Sequence, residues 1–258
     1  MALTVVLLCL VIQRWLHFDR YTRQYNWFEP YYQWLKARFG RTLHWNGFGG
    51  VAIIILPVVF TYILLALFIC RTLTIVGYYF LTVAVLWYCM DMRSLAESQS
   101  EAVVQKVLIH VYERVFALIF WLLILGSTGV VLYTLVITLR QFLEKCPVEN
   151  SEEGTRLLSA VAIVQDVLDW LPLRLIGITF ALGGHFSPTF ALWRPKVLTG
   201  IDKTPHLAAA CGLTALDMNK ETKLLSLEEL KSLDGLISRA LWIWLVVIAL
   251  FTIGRWIS

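Results

Sequence analysis

The chain has 258 residues, of which 59% are hydrophobic and only 16% charged, with 11 tryptophans. Soluble domains carry roughly a quarter charged residues, so a soluble globule of this length could not hide so much apolar surface; the composition points to an integral membrane protein with one transmembrane domain over residues 1–258. The formal net charge of +4 is too modest for a nucleic-acid signal, and no nucleic-acid partner is expected.

Residues 2–18 form the first candidate span. No basic n-region precedes them and no small-x-small cleavage site follows, so an uncleaved span is expected rather than a removed signal peptide. Residues 19–45 mix aromatic rings with Arg20, Arg23, Lys36, Arg38 and Arg41. That pattern suits an amphipathic segment in the headgroup layer, with rings toward lipid and bases toward water. Residues 47–69 and 72–90 read as two spans joined at Arg71, which predicts a helical hairpin. Residues 91–106 are polar and lead into the apolar runs 107–125 and 128–139. Gly126 and Gly129 lie between these runs, which are too close for two full spans and predict a broken or re-entrant hairpin.

A polar loop at 141–155 comes next, then a helix carrying the run from Gln165 to Phe186. Residues 187–236 are mostly polar with helical patches, and residues 237–257 make the last span. The expected fold is therefore an all-α integral membrane protein with about four transmembrane helices plus broken or re-entrant segments. Lys and Arg concentrate in the loops at 19–45, 91–106, 140–156 and 194–236, which places these loops, and the 187–236 region, in the cytoplasm.

Ionisable groups inside apolar runs are costly in lipid and therefore informative. His110, Glu113 and Arg114 are spaced to share a helical face. They read either as a salt-bridged helix end or as the lining of a cavity. Asp166 and Asp169, three apart, also share a face, with Pro172 and Arg174 just beyond. Pro172 lacks an N–H and crowds the preceding turn, so the helix is expected to kink or restart there, with Asp169 as its cap. Arg174 would then reach back to one of the acids. The acids either tie a bent helix together or hold a divalent cation or a cationic substrate group; two carboxylates are the minimum for magnesium completed by phosphate and water. Gly183–Gly184–His185 ends the run as a helix stop. The five cysteines, Cys9, Cys70, Cys89, Cys146 and Cys211, show no disulfide or metal spacing and are expected to be inert thiols. No P-loop, zinc or nucleophile motif occurs.

The stretches VFALIFWLLILG at 115–126 and VLDWLPLRLIGITFALGGHF at 167–186, with QRWLHFDRYTRQYNWFEPYYQWLK after the first apolar run, resemble the AmpE family. That resemblance implies an inner-membrane protein of Gram-negative bacteria with a signalling or accessory role in cell-wall stress and β-lactamase induction. The AmpE family is in turn similar to the CobD/CbiB membrane amide synthases of cobalamin biosynthesis, which join an amino-alcohol phosphate to a corrinoid carboxylate with ATP. Their glutamate-centred segment is matched by Tyr112, Glu113 and Arg114, and their next landmark tyrosine by Tyr133. Their acid-rich segment ending in P-A-R-L is matched by Gln165, Asp166, Asp169, Pro172, Leu173, Arg174 and Leu175. Their serine–arginine–leucine stretch is echoed by Arg93, Ser94 and Leu95. The pattern is departed from in each segment: the asparagine after Glu113 is not kept, Thr134 to Thr138 lack the Asn and Asp that follow the landmark tyrosine, and Gln165 and Asp169 replace an acid and an asparagine.

The resemblance implies catalytic roles for Glu113, Asp166 and Asp169. Glu113 and Asp166 would hold magnesium. Arg174, Tyr133, Arg93 and His110 would contact substrate, with phosphate near Arg174. ATP and magnesium would be the cofactors of such a ligase. Three functions follow as expectations: an accessory or signalling protein with a small-molecule ligand or envelope partner, a membrane ligase joining an amine to a carboxylate, or a structural subunit of an envelope complex.

Overall fold

The computed structural model describes residues 2–15, 27–39, 47–90, 104–145, 152–196, 205–217 and 227–257. The regular structure among them is helical throughout. Ten α-helices are described: α1 (Ala2–Trp15), α2 (Phe28–Phe39), α3 (Phe48–Cys89), α4 (Val104–Val111), α5 (Ala117–Leu125), α6 (Ser127–Lys145), α7 (Glu152–Gly183), α8 (Phe186–Trp193), α9 (Pro205–Ala215) and α10 (Leu227–Ile257). One π-helical turn, Tyr112–Phe116, joins α4 to α5. Among the described residues three stretches are long and apolar enough to cross a membrane, Phe48–Thr72, Gln105–Leu125 and Lys231–Gly254, and Val76–Cys89 is a shorter apolar one. The protein is an all-α membrane protein, as its composition requires.

The hairpin expected at Arg71 does not form. α3 runs unbroken for 42 residues, which at 1.5 Å per residue is about twice the thickness of a bilayer's hydrocarbon core. The link supplies no turn chemistry: no proline removes a donor there and no glycine stands at Arg71 or Thr72. The Thr72 hydroxyl bonds back to the Phe68 carbonyl at 2.8 Å, within the same helix. Turn chemistry does stand between α5 and α6. Gly126 adopts φ +67°, a left-handed value that other residues seldom take. A Cβ on Gly129 would lie 2.6 Å from the Trp121 carbonyl oxygen, so only glycine lets the two arms close. Residues 107–139 thus form a tight helical hairpin. Ser127, fully buried at its tip, pairs with the Tyr78 hydroxyl at 3.1 Å.

α7 also departs from expectation. It is one helix of 32 residues with Pro172 inside it, so no restart occurs and Asp169 caps nothing. A proline removes a single backbone donor, whereas α7 is held on several sides by α3, α6, α9 and α10. Of the interfacial segment expected at 19–45, α2 is described, and it buries Phe28, Tyr32 and Leu35; residues 19–26 and 40–45 lie outside the described residues.

The core has two apolar clusters. One joins α2, the first half of α3, α6 and the start of α7 around Ile54, Val136, Leu139 and Val161. The other joins α1, the end of α3, α4, α5, α7, α9 and α10 around Leu86, Phe116, Phe180 and Ile237. Within 187–236, α8 and α9 fold back onto α7. Gly212 of α9 meets Leu108, and Gly177 of α7 meets Trp193, so closely that a Cβ at either glycine would press on that side chain.

Candidate functional site

The polar groups gather where the π-turn, α6 and α7 meet, between the two clusters. A π-turn inserts one extra residue into a helix and re-aims the side chains that follow; such turns are frequent at functional sites. Here the Ala117 N–H reaches the Tyr112 carbonyl, closing the wider ring. Adjacent side chains of this turn meet successive turns of α7. Glu113 Oε1 accepts the Gln165 amide N–H at 3.0 Å, and the Tyr112 hydroxyl donates to Asp169 Oδ1 at 2.8 Å. Gln165 and Asp169 are four apart, so they present to one side of α7.

α6 supplies the opposite wall from Tyr133 and Arg140, seven apart and so again on one face. The Tyr133 hydroxyl donates to the same Asp169 Oδ1 at 2.6 Å. Arg140 Nη1 donates to Gln165 Oε1 at 3.1 Å, and Arg140 Nε donates to Glu144 Oε1 at 2.9 Å. Gln165 is the bridge, giving its N–H to Glu113 and taking a proton contact from Arg140. A second arginine, Arg114, is buried and donates to Gln141 Oε1 at 3.1 Å. The network therefore runs from deep to shallow: Asp169 is 5% exposed, while the side chains of Arg140 and Glu144 are 28% and 50% exposed. Asp169 is a carboxylate held by two phenols, and its depth explains why two donors are spent on one oxygen, since an unmatched buried acid is costly.

Glu113, Tyr133 and Asp169 of the sequence-derived set are brought together. Asp166 is half-buried beside them and lies within electrostatic range of both Asp169 and Arg140. Arg174 points elsewhere. It is five residues past Asp169, about 140° around the helix, and its guanidinium stacks 3.9 Å from the centre of the Trp170 ring. Its Nη1 donates to the Trp170 carbonyl at 2.5 Å, so the expected reach back toward the acids is replaced by a contact with its own preceding turn. His110 is half-buried, two residues before Tyr112. Arg93 lies outside the described residues. Arg140, Gln141 and Glu144 were missed because α6 reads as an ordinary apolar run ending in polar residues; the seven-residue spacing of Tyr133 and Arg140 is the signal that marks them.

Among the described residues no group of three or more His, Cys, Asp or Glu side chains is placed to hold a metal ion. Arg140 lies within electrostatic range of Glu113, Glu144 and Asp166 at once, so the positive charge among these acids comes from the protein itself.

Fold and site together define a helical membrane protein with a buried tyrosine–carboxylate–amide–arginine network at the junction of three of its helical segments. The chain belongs to the AmpE family: the model for the "Regulatory signalling modulator protein AmpE" matches residues 93–256, the part that contains the whole network. Among curated proteins the chain is 29% identical over 172 residues to a "Cobalamin biosynthesis protein CobD" of Chromobacterium violaceum, covering 60% of this chain and 54% of that one. It is 30% identical over 118 residues to a protein of the same description from Stutzerimonas stutzeri, covering 45% and 38%. It is 28% identical over 138 residues to "Protein AmpE" of Shigella flexneri, covering 52% and 46%. The chain thus spans about half the length, or less, of the curated relatives it matches. No solved structure matches it.

Proposed function

We propose that this chain is a multi-pass protein of the bacterial inner membrane. In this reading its polar network senses a small ligand arriving from the cytosol, in an accessory or signalling role tied to cell-wall stress and β-lactamase induction. The observation that carries this reading is the hydrogen-bonded chain from Glu113 through Gln165 to partly exposed Arg140, with buried Asp169 one turn along α7 from Gln165 and bonded to Tyr112, the neighbour of Glu113. Such a path lets an event at the surface alter contacts among three helical segments. Networks of this kind are strongly coupled, because each group satisfies its neighbour.

Arg140 is the receiving residue of this proposal. In a Gram-negative host lacking its own family member, Arg140→Gln should abolish the induction of β-lactamase by a sub-inhibitory β-lactam, at undiminished protein level in the membrane. Full induction by the Arg140→Gln protein would overturn the reading.

A second reading is favoured by Tyr112 and Glu113 in the π-turn and by the similarity to CobD proteins: a membrane ligase that joins an amine to a carboxylate. It names ATP with magnesium as co-reactants, with Glu113 and Asp166 as the acids that would hold the cation. Purified protein in detergent should then be stabilised against heat by Mg–ATP, and Glu113→Gln should remove that shift. Absence of any shift in the unsubstituted protein counts against the ligase and leaves the accessory reading standing.

A further inference from the structure

The Gly183–Gly184–His185 stop takes no part in the network above, yet it shapes a second polar place. A cavity of about 310 Å³ opens there, lined by Gly184, His185, Ala215, Leu216, Ser232 and Arg239. Its walls come from the α7–α8 turn, the end of α9 and the first part of α10. The backbone builds it tightly: the His185 N–H donates to the Ala215 carbonyl at 3.0 Å, and a Cβ on Gly184 would lie 2.5 Å from that same oxygen. Ser232 and Arg239 are seven apart on α10, so they share the stripe that faces the turn, while Asp234 falls about 160° away from Ser232.

Arg239 donates its Nε to the Gly235 carbonyl at 3.0 Å. Among the described residues no hydrogen bond occupies its two terminal amino groups. His185, Ser232 and Arg239 are exposed and offer an imidazole N–H, a hydroxyl and a guanidinium fork toward one space. That is the donor set that oxyanions of phosphorus prefer. The place is also the start of the Lys231–Gly254 stretch. On the neighbouring α8, Phe186 and Phe190 stack at 5.3 Å and are 51% and 36% exposed, as aromatic rings at a membrane boundary are.

We propose that this basin is a phosphate-binding site at the membrane boundary, taking the phosphate of an anionic lipid head or of a soluble phosphate ester, with Arg239 as the main ligand and Ser232 and His185 completing it. Asp217, exposed just beyond Leu216, is the acid nearest in sequence to the basin wall and sets the opposite sign.

The test uses the full chain in neutral detergent with two probes: phosphatidylglycerol, read by native mass spectrometry, and inorganic phosphate, read by phosphorus NMR line broadening. Arg239→Gln should weaken binding of the true ligand about tenfold, and Ser232→Ala by about two- to threefold. Asp217→Asn should tighten it; asparagine accepts the left-handed backbone that Asp217 holds at φ 56°. Lys231→Gln, a quarter-turn off the stripe, should leave it unchanged. Binding of phosphatidylglycerol with this pattern assigns a lipid head, and binding of inorganic phosphate alone with it assigns a soluble ester. Failure of both probes to bind overturns the site, as does equal loss in the Lys231 and Arg239 variants, which would mean diffuse charge attraction. The Ser232 and Asp217 variants, both at exposed positions, keep the test decisive if Arg239→Gln fails to fold.

Discussion

Two polar places among the described residues are finished differently. At the junction of the π-turn, α6 and α7, donors and acceptors meet one another: two phenols on Asp169 Oδ1, the Gln165 amide on Glu113, Arg140 on Gln165 and Glu144. At the turn after α7, a guanidinium and a hydroxyl stand exposed around an open cavity. Burial decides the difference. A group removed from water and lipid headgroups must find its partner inside the protein, whereas an exposed group can wait for a ligand. Substitution should therefore cost stability at the first place and binding at the second.

The largest effect is expected for Asp169→Leu, which strands two buried hydroxyls at once. A loss of roughly 3 kcal/mol is expected by analogy with broken buried pairs. Asp169→Asn keeps an acceptor for both phenols and should cost less than half of that. Unfolding by a denaturing detergent, followed by the fluorescence of the tryptophans, measures both. Equal losses for Leu and Asn would show that the phenols do not depend on the oxygen. Next comes Gly184→Val. The new side chain would press on the Ala215 backbone, which cannot give as a flexible side chain can, so about 2 kcal/mol is expected together with loss of the basin.

How much of this was open to reading before the structure follows from the range of each interaction. Composition and apolar run length depend on single stretches of chain, and they gave the all-α membrane class directly. Gly126 and Gly129 likewise announced a hairpin, because a left-handed φ and a close backbone approach leave glycine as the local solution. Arg71 and Pro172 misled for a complementary reason. A charged residue or a single proline shows that a break is permitted, but packing along the rest of α3 and α7 decides whether one occurs. Asp169 and Glu113 stood out as acids in apolar runs. Tyr133 was marked only by the family resemblance, and Arg140 and Glu144 not at all, since all three come from a helix whose face is defined only once it packs on α7. Arg174 shows the same limit: its distance from Asp169 along the helix excludes a shared face, and only the folded chain shows that it settles on Trp170.

The smallest and sharpest test concerns the shared oxygen of Asp169. Tyr112→Phe and Tyr133→Phe each remove one hydroxyl and leave the ring, so packing is preserved and each should cost about 1 kcal/mol, the range of a single hydrogen bond inside a membrane protein. If the two phenols act independently, the double variant costs the sum. Because both donate to Oδ1, loss of one should let the carboxylate bind the other more strongly. The double variant should then cost more than the sum, with a coupling of about 0.5 kcal/mol or more. Strict additivity would mean that the remaining donor gains nothing, and the junction would be two separate bonds rather than one network. The matching pair in the basin, Ser232→Ala and Arg239→Gln, should change unfolding by less than about 0.5 kcal/mol singly or together, as exposed substitutions do.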